Sequence, residues 1–288
     1  MKFTTFLSNG KPRLGVVDGH DVIDLNAAQP QVPADMRAAL AAGVDLAAAG
    51  KAAIAGTAPR LKLDSLTLAP LVVEPGKTVC LGLNYFDHAK EGGREKPDYP
   101  WFFFRGASSL MGHNAIGRVP SISVKFDYEA ELAVVIGTRV PRHTKQAAAL
   151  VHVFGYACFN DMSVRDYQKR TPQWTIGKNF DDTGAFGPVL VTADELPPGA
   201  TGLKVQGRLN GQVMQDANTS DMIFSVAETI ELLADVLTLE PGDVIVMGTP
   251  AGVGQARTPP VWMKAGDVYE VEIERVGLLS NPIANEVV

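Results

Sequence analysis

The sequence predicts an α+β protein with a large β core. Two observations carry this: strand-like runs outnumber helical ones, and successive runs are often joined by hairpin turns instead of alternating with helices as in a doubly wound fold. Lys2–Leu7 reads as a strand, and Leu14–Val17 reaches Val22–Leu25 across the Asp18-Gly19 turn. An Ala-rich stretch from Pro33 to about Gly56 reads as short helices broken at Gly43 and Gly50. Residues 1–72 are thus set apart as a small N-terminal domain, and residues 73–288 as the chemistry-bearing domain. Thr78–Leu83 is a short apolar run typical of a buried strand. Asn84–Glu91 reads as a helix ended by Gly92-Gly93, and a polar, proline-bearing loop of lid-like composition continues to Pro100.

Strands dominate the remainder. Phe126–Ile136 and Val151–Phe159 read as two long ones, and Leu203–Leu209 and Gln212–Gln215 flank Asn210-Gly211, a strong hairpin signal. Ser225 and Glu228 form a capping box before an amphipathic helix, with Ile230, Leu233, Val236 and Leu237 on one side. Val244–Gly248 follows a Pro241-Gly242 turn. In Val268–Val276, Tyr269, Val271 and Ile273 alternate with Glu270, Glu272 and Glu274, the mark of a sheet with one wet face.

Composition narrows the function. The 288 residues carry 26 Lys plus Arg against 32 Asp plus Glu, a formal net charge of −6 with no basic block, which argues against nucleic acid as a partner. No apolar run is long enough to span a membrane, and the first ten residues lack a signal-peptide pattern. Cys80 and Cys158 lie in apolar runs and read as buried reduced thiols, so the cytoplasm is the expected compartment.

Chemistry concentrates in a few segments. On a strand, Glu129 and Glu131 point the same way, about 7 Å apart at Cα, and the residues beyond them are apolar on both faces. Two buried like charges are costly unless a cation binds both, and hard oxygen donors suit Mg²⁺, Mn²⁺ or Ca²⁺. A bare E-x-E is more often a solvated strand face. Asp161 ends the apolar run Phe154–Phe159, where it could be a third ligand or a helix cap. His88 and Glu91 share a helix face, as a general-base pair would and as a surface ion pair would. Arg165, Gln168 and Lys178 follow Asp161 closely. Gly248-Thr249-Pro250-Ala251-Gly252-Val253-Gly254 is neither a P-loop nor a dinucleotide fingerprint, but its amides could line an anion site.

Five segments in order resemble the fumarylacetoacetate hydrolase family: Gly82–Glu91, Asp127–Ala133, Asn160–Gln168, Trp174–Lys178 and Gly248–Gly254. The resemblance runs from residue 76 to 284. It implies a mixed β-sandwich roll, usually a homodimer, with one Mg²⁺ or Mn²⁺ per site. It implies Glu129, Glu131 and Asp161 as metal ligands, and His88 with Glu91 as a dyad on a closing lid. Arg165, Gln168, Lys178 and Thr249 match substrate-contacting positions, with Lys178 placed to hold an oxyanion. Arg105 stands where many members have Lys, a departure expected at the pocket entrance. The implied substrate is a small 2-oxo or diketo acid. The reaction favoured is hydrolysis of a C–C bond in acylpyruvate-type acids, with the enolate held on the metal as leaving group. Decarboxylation of oxaloacetate-like acids, or isomerisation or hydration of unsaturated 2-oxo acids, are the alternatives.

Overall fold

The computed structural model describes residues 1–93 and 95–287. Its centre is an eleven-stranded mixed sheet. Ten of its strands run in the order Arg60–Lys62, Asp21–Asp24, Lys11–Asp18, Lys2–Ser8, Gly184–Thr192, Val153–Asp161, Ala130–Ile136, Val244–Val246, Thr78–Gly82 and Trp101–Arg105. A second, five-stranded sheet holds the Lys204–Leu209/Gln212–Asn218 hairpin, Val268–Ile273, Gly277–Asn285 and Gly117–Val119. The fold is the mixed α+β architecture expected.

Side-chain alternation divides the core into two layers. Leu132, Val134 and Ile136 pack with Val205, Val271 and Ile273 of the second sheet and with Ile230 and Leu233 of the helix Val226–Val236. Ala133 and Val135 face the opposite layer with Phe3, Leu14, Met36 and Leu46. The strand Ala130–Ile136 is buried along its whole length, which explains its near-continuous apolar run. Cys80 and Cys158 are free and buried.

Residues 1–72 pair directly with the rest of the chain. Lys2 and Phe3 lie opposite Val191 and Leu190, and the Met1 ammonium donates to Thr192 Oγ1 at 2.6 Å. The Ala-rich stretch forms helices Met36–Ala41 and Leu46–Ala55 against that sheet. Gly43, at φ 68°, ends the first. Gly50 does not break the second. A Cβ there would lie 2.7 Å from Met1 Cε and 3.2 Å from Val16 Cγ2, so the glycine lets the helix approach the sheet.

The expected strand Phe126–Ile136 is interrupted at Tyr128-Glu129. Phe126–Asp127 pairs instead with Ser163–Val164. At the break, side chains replace ladder partners: Asn160 Oδ1 accepts from Glu129 N at 3.1 Å, and Gln215 Oε1 accepts from Ala130 N at 2.9 Å. The strand Val153–Asp161 carries Asp161 alongside, and Asp161 N donates to Glu129 O at 3.0 Å. The short helix after it is Arg165–Gln168, and neither Asp161 nor Ser163 caps it. The predicted loop Gly92–Pro100 includes Arg94, which lies outside the described residues.

Candidate metal and proton-transfer site

Three buried carboxylates meet where the central strands end. Glu129, Glu131 and Asp161 place oxygens within 4.8 Å of one another. Each arrives by a different route: Glu131 from inside its strand, Glu129 from the break before it, and Asp161 from the last position of the neighbouring strand.

Three buried cations surround them. Lys178 Nζ is 2.6 Å from both Glu129 Oε2 and Asp161 Oδ2. Arg165 donates through Nε to Asp127 Oδ2 at 2.8 Å, and its Nη2 lies 2.7 Å from Glu129 Oε1. Arg105 donates to Asp161 Oδ1 and, through Nη2, to Met162 O at 2.7 Å. The position that departs from the family pattern therefore belongs to the carboxylate cluster, not to the pocket entrance. Its strand, Trp101–Arg105, is the terminal strand of the sheet, and Arg105 is its last residue.

The charge balance leaves one carboxylate over. Burial would raise the pKa of Glu129, but Lys178 and Arg165 outweigh burial and hold it well below the usual range. Burial also opposes the charge on Lys178, yet Asp161 and Glu129 raise its pKa overall. Glu131 has no ion pair among the described residues and accepts from Gly248 N at 2.6 Å. Burial, then Asp161 and Glu129, push its pKa well up. A buried carboxylate short of a positive charge, beside two others, in an all-oxygen donor set, fits a hard divalent cation such as Mg²⁺ or Mn²⁺.

A cavity of about 290 Å³ opens onto this cluster. Of the residues singled out from sequence, His88, Glu91, Glu129, Glu131, Arg165, Gln168, Lys178 and Thr249 line it. Asp161 sits behind the wall, fully buried. His88 and Glu91 lie on the helix Phe86–Glu91, with His88 Nδ1 2.8 Å from Glu91 Oε1. Gln168 Oε1 accepts from Arg165 Nη1 at 3.0 Å. Thr249 Oγ1 donates to Ala130 O at 3.1 Å and accepts from Gln215 Nε2 at 2.7 Å.

The glycine-rich loop does bind anions, and they are the protein's own. Gly248 N holds Glu131, Gly252 N reaches Glu91 Oε2 at 3.0 Å, and Gly254 N and Gln255 N hold Asp127 at 2.8 and 3.0 Å. Gly252 thereby latches the dyad. Its φ is 103°, and a Cβ there would lie 2.1 Å from Met214 O. Gly252→Ala is expected to cost about 1–3 kcal/mol of stability and to cut turnover at least about tenfold, by releasing Glu91. Thermal melts and kcat measured on one preparation check this, and wild-type values for both would refute it.

Sequence reasoning missed Asp127, Gln215 and Asn160 as organisers of the site. Asp127 opens the segment Asp127–Ala133, but its distant partners come from residues 165, 254 and 255. Gln215 occupies a buried position in a hairpin strand, where it also accepts from Tyr269 Oη at 2.7 Å. A polar residue in that register was its only signal.

Comparison with known proteins agrees with this geometry. Residues 77–284 match the family described as fumarylacetoacetate (FAA) hydrolase C-terminal. The chain is 39% identical to oxaloacetate tautomerase fahd2, mitochondrial, from Xenopus laevis, over 98% of this chain and 90% of that protein. Among solved structures, fumarylacetoacetate hydrolase from psychrophilic Exiguobacterium antarcticum superposes with a TM-score of 0.85 at 36% identity, covering 99% of this chain and 100% of the other. Maleylpyruvate hydrolase from Sphingobium sp. SYK-6, in complex with manganese (II) ion and pyruvate, gives 0.82 at 29%, again covering 99% and 100%. Among the described residues, no helix is long and apolar enough to cross a membrane. With the family's segments in register and assembled around one cavity, this chain belongs to the fumarylacetoacetate hydrolase family of enzymes.

Proposed function

We propose that this enzyme moves a proton between carbon and oxygen of a small 2-oxo acid of the oxaloacetate type, interconverting keto and enol forms with the help of a divalent cation. The observation that carries this reading is the His88–Glu91 dyad, latched by Gly252 at a cavity whose floor is the carboxylate cluster. The near full-length similarity to an oxaloacetate tautomerase supports the choice of substrate.

Glu129, Glu131 and Asp161 would hold the cation. When bound, it would supply Lewis-acid polarisation of the 2-oxo group, which acidifies the neighbouring C–H. His88 has its Nδ1 committed to Glu91, which leaves Nε2 to accept the proton from C3 and return it to oxygen. Glu91 fixes the tautomer and steadies the imidazolium that forms. Arg165 and Lys178 neutralise Glu129 and Asp161 and keep them in place. Gln168, with Oε1 taken by Arg165, keeps its amide NH₂ for the substrate. Thr249, whose hydroxyl donates to Ala130 O and accepts from Gln215, shapes the cavity wall.

Acylpyruvate hydrolysis is the second reading. The same dyad can take a proton from water instead of carbon, and the maleylpyruvate hydrolase structure with manganese and pyruvate supports it. The test is the enol absorbance of oxaloacetate, followed with and without chelator, alongside pyruvate release from acylpyruvates. Cation-dependent acceleration of the oxaloacetate equilibrium is expected. Cleavage of acylpyruvates without any such acceleration would replace the proposal by the second reading.

A further inference from the structure

Three cationic residues with Lys or Arg side chains line the cavity, and two of them are already spent on the protein's own carboxylates. Arg165 is paired with Asp127 and Glu129, and Lys178 with Glu129 and Asp161. The third, Lys169, has no ion pair among the described residues. It follows Gln168 directly, its backbone N–H donating to Arg165 O at 3.2 Å, so the turn that presents Arg165 and Gln168 also sets Lys169 at the exposed rim.

We propose that Lys169 selects dicarboxylic 2-oxo acids by pairing with the carboxylate at the far end of the substrate. This rests on the proposed action on 2-oxo acids. The cation that Glu129, Glu131 and Asp161 would hold would answer the charge of the substrate's own 2-oxo carboxylate. A second carboxylate, pointing away from the cluster, needs a cation toward the mouth, and Lys169 is the one the wall supplies. Partial burial and the nearby Arg165 and Lys125 charges make its ammonium less comfortable than a free lysine's, so an arriving anion relieves it.

The test compares oxaloacetate with 2-oxobutyrate, which has the same number of carbons and no second carboxylate. Wild type, Lys169→Gln and Lys169→Glu are each loaded with Mn²⁺. Solvent deuterium exchange at C3 reads proton transfer, and calorimetry reads binding of each acid independently of turnover. For oxaloacetate, Lys169→Gln is expected to raise KM and Kd at least about fivefold, with kcat within about twofold, and Lys169→Glu is expected to raise them further. For 2-oxobutyrate, neither variant is expected to change KM or Kd by more than about twofold. Equal effects on the two acids, or none on either, would overturn the assignment of Lys169. Absence of C3 exchange in wild type with both acids would instead overturn the proton-transfer reading, while the calorimetric comparison still decides whether Lys169 recognises the second carboxylate.

Discussion

Glu131→Gln is expected to abolish tight divalent-cation binding without destabilising the metal-free protein, whereas Glu129→Gln and Asp161→Asn should do both. Each of the three variants removes one oxygen donor, which should weaken Mg²⁺ or Mn²⁺ binding by at least about tenfold. They differ in what is left behind. Asp161 answers Arg105 and Lys178, and Glu129 answers Arg165 and Lys178. Removing either charge strands buried cations and should cost about 3–5 kcal/mol. Glu131 answers no cation among the described residues, so its neutral amide relieves repulsion and should hold stability constant or raise it.

The linkage has a definite sign. Glu131 has a pKa raised above its ordinary value of 4.5 in the folded state. The folded chain then binds more protons than the unfolded one, so Glu131 makes the metal-free protein less stable as pH climbs from about 4.5 toward that raised value. That contribution to the slope should vanish in Glu131→Gln. Calorimetric titration gives the affinities, and urea melts in chelator across pH give the stabilities. Equal losses of metal-free stability in all three variants would sink this account of the cluster.

His88→Ala should lower proton transfer to oxaloacetate by about 10²–10⁴, the usual worth of a positioned general base. Metal affinity should be unchanged, because His88 is not one of the three carboxylate residues whose oxygens lie within 4.8 Å of one another. Glu91→Gln should fall less, since the imidazole remains but loses the partner that fixes its tautomer. Decarboxylation of oxaloacetate needs no proton taken from C3 and should fall less than tautomerisation in His88→Ala. Steady-state kinetics with both readouts on one preparation checks this. An equal fall in both activities would reassign His88 to holding substrate.

Much of the site was legible because its chemistry is local in sequence. Period-two alternation suggests Glu129 and Glu131 on one face, and both reach the cluster although Glu129 lies in the break before the strand. Residues three apart on a helix bring His88 to Glu91. The glycine-rich loop was legible as an anion binder, but which anion it binds was not. The interruption at Tyr128-Glu129 was hidden because the alternation of Phe126–Glu131 and the apolar run behind it read as one strand. Only the Asp127, Asn160 and Gln215 hydrogen bonds reveal where the ladder stops. Gly50 read as a helix breaker because propensity takes no account of a neighbouring sheet.

The sequence by itself determined the α+β class, the residues that form the carboxylate cluster and the dyad, and their family. The class follows from the strand and turn pattern. The cluster, the dyad and the family follow from the resemblance of five segments in order, because spacing alone left Glu129 with Glu131, Asp161, and His88 with Glu91 open to plainer readings. Tertiary structure alone decided which charge answers which. Arg105, on the terminal strand, meets Asp161 on a strand four places away in the sheet order, Gly252 meets Glu91 from far along the chain, and Glu131 is left without a cation among the described residues. The physical reason is that ion pairs and buried hydrogen bonds depend on distance in space and on exclusion of water. Strand pairings such as Ala130 with Asn160 and Cys80 with Phe103 set those distances between residues far apart along the chain.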